Sequence, residues 1–396
     1  MEYKRQPFTE VLGRMNEPRR FIQVLAGPRQ VGKSTLMDQV MAECTLPHYL
    51  YNADGVDEND TDWIRRIWES VRLQMDSAQQ AEAVLVIDEI QKIQRWSEIV
   101  KREWDNDTRN HRQLKLFLLG SSRLMLRKGL KESLAGRFEL IRLGHWTWQE
   151  MSDAFGWTLD DWIYYGGFPG TASLLGDIRR WKKYVKESLV APAIEKDVIL
   201  TSNIYKPALM KQLFELGCSY SAELLSLTKA VGQLQDAGNV TTLSSYMAIL
   251  RECNLLAGLQ KFANDEARRY QSIPKFQVYN NALLTAYRGT SFDKDRIDPQ
   301  RWGRWVESAV GTYLLGSEEE EGYKVYYWRE RDDEVDYVIF RQGEAVALEV
   351  KSGRRGMNSG LPKFSERFHP KRAIVIGTDG IPLDVFFRMR IEELFL

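Results

Sequence analysis

The sequence predicts an α/β chain built from more than one folded unit: a parallel sheet, a helical middle and a second, smaller α/β unit. Three observations carry this. Up to about residue 150, short apolar runs alternate with amphipathic stretches, the pattern of parallel strands joined by crossover helices. From about 151 to 265 the pattern turns helical, broken by the turn at 166–170 and by Pro192. Roughly the last hundred residues then read helix, strand, hairpin, helix, strand. At 396 residues the chain also exceeds what one ordinary core organises.

In chain order, the strands of the first unit are Phe21–Ala26, His48–Tyr51, Ala83–Asp88, Lys115–Gly120 and Phe138–Leu143. Arg179, Arg180, Lys182, Lys183 and Lys186 form a basic helix face, either solvated or touching phosphate. Ser219 to Phe262 reads as helix-turn-helix, with Ala222–Ala230 as one helix, Gly232 near the turn and Ser244–Leu256 as the second. Thr241, Thr242, Ser244, Ser245 and Tyr246 then stand at the leading end of the second helix, where such modules touch bases or phosphates. A turn-rich bridge with Pro274 and Pro299 leads to a helix over Trp302–Leu315, and the acidic run Glu318–Glu321 reads as a solvated loop.

Composition excludes several classes. Hydrophobic residues at 43% and charged ones at 28% are those of a folded protein, not a disordered one. Lys plus Arg and Asp plus Glu are both 55, so any grip on nucleic acid must be local. Three scattered cysteines and four separated histidines give no disulfide framework and no Cys or His metal centre. No apolar run spans a bilayer and the start lacks an apolar leader, so the expected location is cytoplasmic, with no membrane partner.

Gly27-Pro28-Arg29-Gln30-Val31-Gly32-Lys33-Ser34, followed by Thr35, fits G-x-x-x-x-G-K-[ST]. The glycines permit a tight loop whose backbone N–H groups face phosphate oxygens, and the following helix turns its positive end to the anion. Lys33 reaches the outer phosphates and the Ser34 hydroxyl is a magnesium ligand. Val84-Leu85-Val86-Ile87-Asp88-Glu89 is a buried strand ending in two acids. There Asp88 holds the metal through water, and Glu89 orients and deprotonates the attacking water. A further strand ends in Gly120-Ser121-Ser122-Arg123, where Ser121 or Ser122 would sense the terminal phosphate. Arg137 is the candidate arginine finger, ahead of Arg123.

Near the carboxyl end, two strands flank Gln342-Gly343-Glu344. A two-residue turn at Gln342-Gly343 places Asp336 opposite Glu349. Val335, Tyr337 and Ile339 then share a buried face with Val346, Leu348 and Val350, leaving Asp336, Glu349 and Lys351 on the other. Paired carboxylates repel unless a cation lies between them. The expected cation is Mg²⁺ or Mn²⁺, with Glu307 as a third acid and Lys351 stabilising charge or activating water. The basic block Lys351, Arg354, Arg355, Lys363, Arg367, Lys371 and Arg372 would attract a phosphate backbone.

GPRQVGKST, VLVIDEIQKI, LLGSSRLML, SLAGRF, YYGGFPG, the WVESAV helix, YYWRERDDEVDYVI and ALEVKSG together resemble prokaryotic AAA-type ATPases. That family couples a phosphate-loop (P-loop) domain to a winged helix and a restriction-endonuclease-like carboxyl-terminal domain. The resemblance runs nearly end to end and implies a first sheet of order 5-1-4-3-2. It implies a P-loop domain at 1–150, a helical lid at 151–203, a winged helix at 204–268 and a PD-(D/E)XK nuclease-like domain at 269–396. Two departures stand out: Asn280-Asn281 where the family often has an acid and a glycine, and His145 where it has proline. The expected function is ATP hydrolysis with Mg²⁺, coupled to binding or remodelling DNA, branched forms included, with cutting by the last domain left open. A homo-oligomer fits the family. The alternatives are a nucleotide-gated switch that grips a protein partner, and a metal-dependent nuclease licensed by ATP.

Overall fold

The computed structural model describes residues 3–120, 130, 133–199, 204–235, 238–263, 272–353 and 360–396. It divides into two compact units, Met1–Gly144 and His145–Leu396. Among the described residues no helix is long and apolar enough to cross a membrane.

Unit 1 holds β1 (Ile22–Ala26), β2 (His48–Asn52), β3 (Glu82–Asp88), β4 (Gln113–Gly120) and β5 (Phe138–Arg142), with α1 (Phe8–Asn16), α2 (Lys33–Glu43), α3 (Asp62–Ser77) and α4 (Trp96–Arg109). The strands are parallel in the order β2-β3-β4-β1-β5, as the resemblance implied. Helices on both faces explain why the central strands read as unbroken apolar runs. Leu85, Ile87, Leu116 and Leu118 face one core with Trp68 and Trp104. Val84, Val86, Phe117 and Leu119 face the other with Met37 and Val40. Arg72 joins α3 to α4 by ion pairs of 2.8 Å to both Glu103 and Asp107.

Unit 2 opens with α5 (Trp148–Phe155), α6 (Leu159–Tyr165) and α7 (Ile178–Tyr184), the first two started by capping boxes at Thr147/Glu150 and Thr158/Asp161. The chain runs on through π-helical turns at Val185–Val190 and Ala193–Ile199, on either side of Pro192, which lacks a helical N–H. Next come α8 (Pro207–Ser219), β6 (Glu223–Leu224), α9 (Leu227–Gln233), α10 (Val240–Glu252), β7 (Leu256–Leu259) and β8 (Lys275–Val278). The three strands form an antiparallel sheet of order β6-β8-β7. Residues 222–226 are therefore not helical as expected, and Leu256 begins a strand instead of ending a helix. The expected boundary at 268/269 falls between β7 and β8, so β8 completes the sheet of the middle region.

The remainder is α11 (Asn281–Arg288), α12 (Phe292–Ile297), α13 (Pro299–Ser317), β9 (Lys324–Glu330), β10 (Asp333–Arg341), β11 (Glu344–Lys351), α14 (Gly360–Phe368), β12 (Arg372–Gly377) and α15 (Leu383–Phe386). Its sheet has the order β12-β11-β10-β9, antiparallel except for the β11–β12 pair, which α14 links. The turn falls at Gln342-Gly343 with φ of 51° and 90°, and Tyr337 faces Leu348, the register the turn length requires. One expectation fails. A register shift against β9 between Val335 and Val338 turns Val335 to the α14 side, where it packs with Val338, Ala347 and Phe364. In the acidic run Glu319 and Glu320 are exposed as expected, but its first residue is not. Glu318 is buried, takes two hydrogen bonds of 2.9 and 2.8 Å from Arg251, and accepts the Val325 N–H.

Candidate nucleotide site and carboxyl-terminal cleft

In unit 1 the loop between β1 and α2 sits where parallel strands end, the usual ligand position of such sheets. Gly27 has no room for a side chain: a Cβ there would lie 2.1 Å from the Leu143 carbonyl oxygen. Gly32 caps α2 at φ 89°, a conformation costly for other residues. Arg5 braces the loop by donating to the Val31 carbonyl at 3.0 Å. The Lys33 ammonium is buried in the loop, donating to the carbonyls of Gly27 at 3.0 Å and Pro28 at 2.7 Å.

β3 lies beside β4 in the sheet and brings the second motif to the first. The Ser34 hydroxyl donates to Asp88 Oδ2 at 2.7 Å, and Asp88 Oδ1 accepts the Glu89 N–H at 2.8 Å. Glu89 stands in left-handed backbone at φ 53°, a strained state for a non-glycine residue. Gln91, buried and unremarked in the sequence, donates to Glu89 Oε2 at 2.7 Å and so fixes its carboxylate. The donor set suits a magnesium-bound triphosphate: a buried ammonium in a loop closed to side chains, and a hydroxyl touching a carboxylate. Ser34 and Asp88 would hold the metal, which supplies charge neutralisation. Arg29 and Gln30 lie in the loop and Thr35 in the first turn of α2, with Gln30 and Thr35 exposed.

Arg137 is engaged elsewhere in unit 1: its guanidinium donates to both oxygens of Asp105, at 2.8 and 3.1 Å. Ser121, Ser122 and Arg123 lie outside the described residues.

In unit 2, Glu307 of α13, Asp336 of β10 and Glu349 of β11 do come together, with Glu334 nearby. The sequence reasoning missed their cation. Lys275 of β8 has a side chain with 0% exposure, and its Nζ lies 2.5 Å from Glu307, 3.7 Å from Glu334 and 3.9 Å from Asp336 Oδ1. It also donates to the Asp336 carbonyl at 3.1 Å, while Asp336 Oδ2 accepts the Val350 N–H at 2.7 Å. Burial works against the Lys275 ammonium, but Glu307, Tyr337, Asp336 and Glu334 outweigh it and raise its pKa. Burial, then Glu307, pushes the Asp336 carboxyl well above the usual range, against the pull of Lys275. Among the described residues no group of three or more His, Cys, Asp or Glu is arranged to hold a metal ion. A lysine thus lies among the acids expected to hold Mg²⁺ or Mn²⁺.

Glu307, Glu349 and Lys351 line a cleft of about 1020 Å³, with Arg296, Trp302 and Arg304 on its α12–α13 side. Three of the five described residues of the basic block are matched by acids: Lys363 pairs with Asp333, Arg367 with Glu330 at 2.7 Å and Lys371 with Glu344 at 3.1 Å. Arg354 and Arg355 lie outside the described residues. On α10, Thr241, Ser244 and Ser245 are exposed as expected, but Tyr246 is buried and its hydroxyl accepts the Lys206 N–H. Thr242 is tied to the cap residue Asn239.

With this geometry in place, the comparisons agree for the first unit. Residues 19–152 match the model of an AAA domain, AAA_14. The amino-terminal unit is an AAA-type P-loop ATPase domain. Residues 156–294 match a domain of unknown function, DUF8612, and 302–389 another, DUF4143. No curated protein matches the chain. Among solved structures, the Walker-type ATPase PABY2304 of Pyrococcus abyssi is similar at TM-score 0.51 and 14% identity, over 72% of this chain and 95% of that one. The RuvB Holliday junction branch migration motor of Thermotoga maritima is similar at TM-score 0.35 and 19% identity, over 64% of this chain and 89% of its own. The first likeness concerns the fold alone, and the second is too loose to add to it.

Proposed function

We propose that the protein hydrolyses ATP with Mg²⁺ and uses the cycle to bind or remodel DNA through its second unit. The 2.7 Å bond between Ser34 and Asp88 carries the reading, because it brings the loop and the acidic strand end into one site. Lys33 and the loop N–H groups hold phosphate; Glu89, aimed by Gln91, takes the proton from the attacking water. The finger role of Arg137 requires its pair with Asp105 to open, as assembly of several copies would allow.

Two features support DNA as the partner. The order α8, β6, α9, α10, β7, β8 is compatible with a winged helix, in which α10 would be the helix that enters a groove. The order α13, β9, β10, β11, α14, β12 is compatible with the restriction-endonuclease-like core that the family resemblance implies, and Glu349 of β11 lines the cleft. The expected result is that Lys33→Ala abolishes ATP turnover while the chain stays folded by circular dichroism; unchanged turnover sinks the reading.

The matched charges of Lys363, Arg367 and Lys371 favour a second reading, a nucleotide-gated switch with a protein partner. A salt titration separates the two. DNA affinity should fall steeply with salt for a DNA machine, and the switch should show no DNA affinity at all.

A further inference from the structure

Glu307, Glu334, Asp336 and Glu349 form one cluster, of which Glu307 and Glu349 line the cleft. Its repulsion is relieved by positive charge among the acids or by a proton on one of them. A metal-dependent site supplies that charge with a hard divalent ion, which takes about six oxygens, one or two of them from carboxylates and most of the rest from water. Here Glu307 and Asp336 are otherwise engaged, while Glu349 Oε2 is buried without a hydrogen bond from the described residues. Glu307 holds the Lys275 ammonium at 2.5 Å, and the Asp336 carboxylate accepts the Val350 N–H at 2.7 Å. Lys275 is no surface side chain that swung inward. It comes from the three-stranded sheet, crosses fully buried beneath α13, and lies 4.7 Å from the Tyr337 ring. Tyr337 in turn donates to the Glu307 carbonyl at 2.8 Å and to Gln277 of the same strand as Lys275 at 2.9 Å. The ammonium is therefore built in, held by neighbours on both sides, and a divalent ion entering the cluster would meet it at close range.

We propose that Lys275 takes the place of a divalent metal in this unit, so that the cleft holds neither Mg²⁺ nor Mn²⁺ and binds a phosphodiester chain without cutting it. The ammonium holds the acids in place, and Arg296, Arg304 and Lys351 line the cleft, where phosphate would compete with Asp160 for Arg296 and with Glu223 for Arg304. The metal half stands on the ion cluster alone; the phosphate half rests on the DNA reading given above.

The test uses the full chain without nucleotide. Manganese binding, read from the paramagnetic resonance of free Mn²⁺, should be the same in the wild type and in Glu349→Gln. A wild-type Mn²⁺ ion that is lost in Glu349→Gln overturns the proposal. Lys275→Met should gain a manganese ion, and Mn²⁺ should raise its melting temperature while leaving the wild type unmoved. If that variant does not fold without metal, refolding in Mn²⁺ against refolding in EDTA reads the same property. A variant that Mn²⁺ neither binds nor stabilises overturns the proposal. Fluorescence anisotropy with linear and branched DNA should give equal affinity in EDTA and in Mn²⁺, with the DNA intact. Binding that needs the metal overturns the phosphate half. Absence of binding in both buffers overturns it together with the DNA reading, while the manganese titration decides the metal half by itself.

Discussion

The two sites solve one problem, the handling of charge at strand ends, in opposite ways. At the nucleotide site the acids and the ammonium come from two short stretches, 27–35 and 88–89, carried to one edge of a parallel sheet. Lys33 lies against carbonyl oxygens, which a phosphate can replace as partners. At the carboxyl-terminal cluster the charges come from α13, β8, β10 and β11, and Lys275 lies among three of the acids as a cation from inside. In the first arrangement the ammonium lies against neutral carbonyls, and in the second it lies against acids. A set of acidic residues therefore does not by itself announce a metal: what decides is whether the fold delivers a cation of its own.

The contrast breaks most sharply at Lys275. Lys275→Met leaves buried acids without their cation and should destabilise unit 2 by about 3–5 kcal/mol in urea unfolding. A loss below ~1 kcal/mol would mean that the cluster is neutralised some other way. Glu89→Gln probes the nucleotide site: ATP should still bind by calorimetry, while turnover falls by about 10²–10³-fold. If turnover persists, the water is activated elsewhere.

Gly27→Ala tests how tightly unit 1 closes around the loop. Its Cβ would meet the Leu143 carbonyl oxygen at 2.1 Å, so unit 1 should lose about 1–3 kcal/mol, seen as a lower melting temperature. The smallest effect is absent at neutral pH. Burial first, then Asp161 and Asp293, pushes the Tyr165 phenol from 10.0 up to about 12. Burial likewise pushes Tyr327 up to about 12. Both favour the protonated form when folded, so their contribution is whole below pH 10 and lost as pH rises from 10 toward 12. Thermal melts across that window should show unit 2 weakening; melts independent of pH would refute the assignment.

Legibility followed the range of the interactions. The five strands of unit 1 and both nucleotide motifs were readable because turn chemistry and apolar runs are local. The hairpin register was readable because Gln342-Gly343 sets it by length alone. Where the sequence misled, a distant group intervened. Val335 changes face because β9 forces a register shift. Glu318 leaves solvent because Arg251 of α10 meets it. The two departures from the family pattern, His145 and Asn280, prove to be partners: Asn280 Nδ2 donates to His145 Nδ1 at 3.2 Å, and Asn280 Oδ1 accepts the Gly167 N–H at 3.0 Å. Neither substitution is interpretable without the other beside it.

The sequence by itself determined that a phosphate loop and an acidic strand end exist, and which residues would meet phosphate and metal there. Those are short-range facts, encoded by glycines, one lysine and the burial of a strand. Only the tertiary structure decided that Ser34 touches Asp88, that Gln91 aims Glu89, and that the carboxyl-terminal acids surround a lysine. The reason is electrostatic: the charge state of a buried carboxylate depends on whatever cation the fold brings within a few ångströms, and chain order does not record that distance.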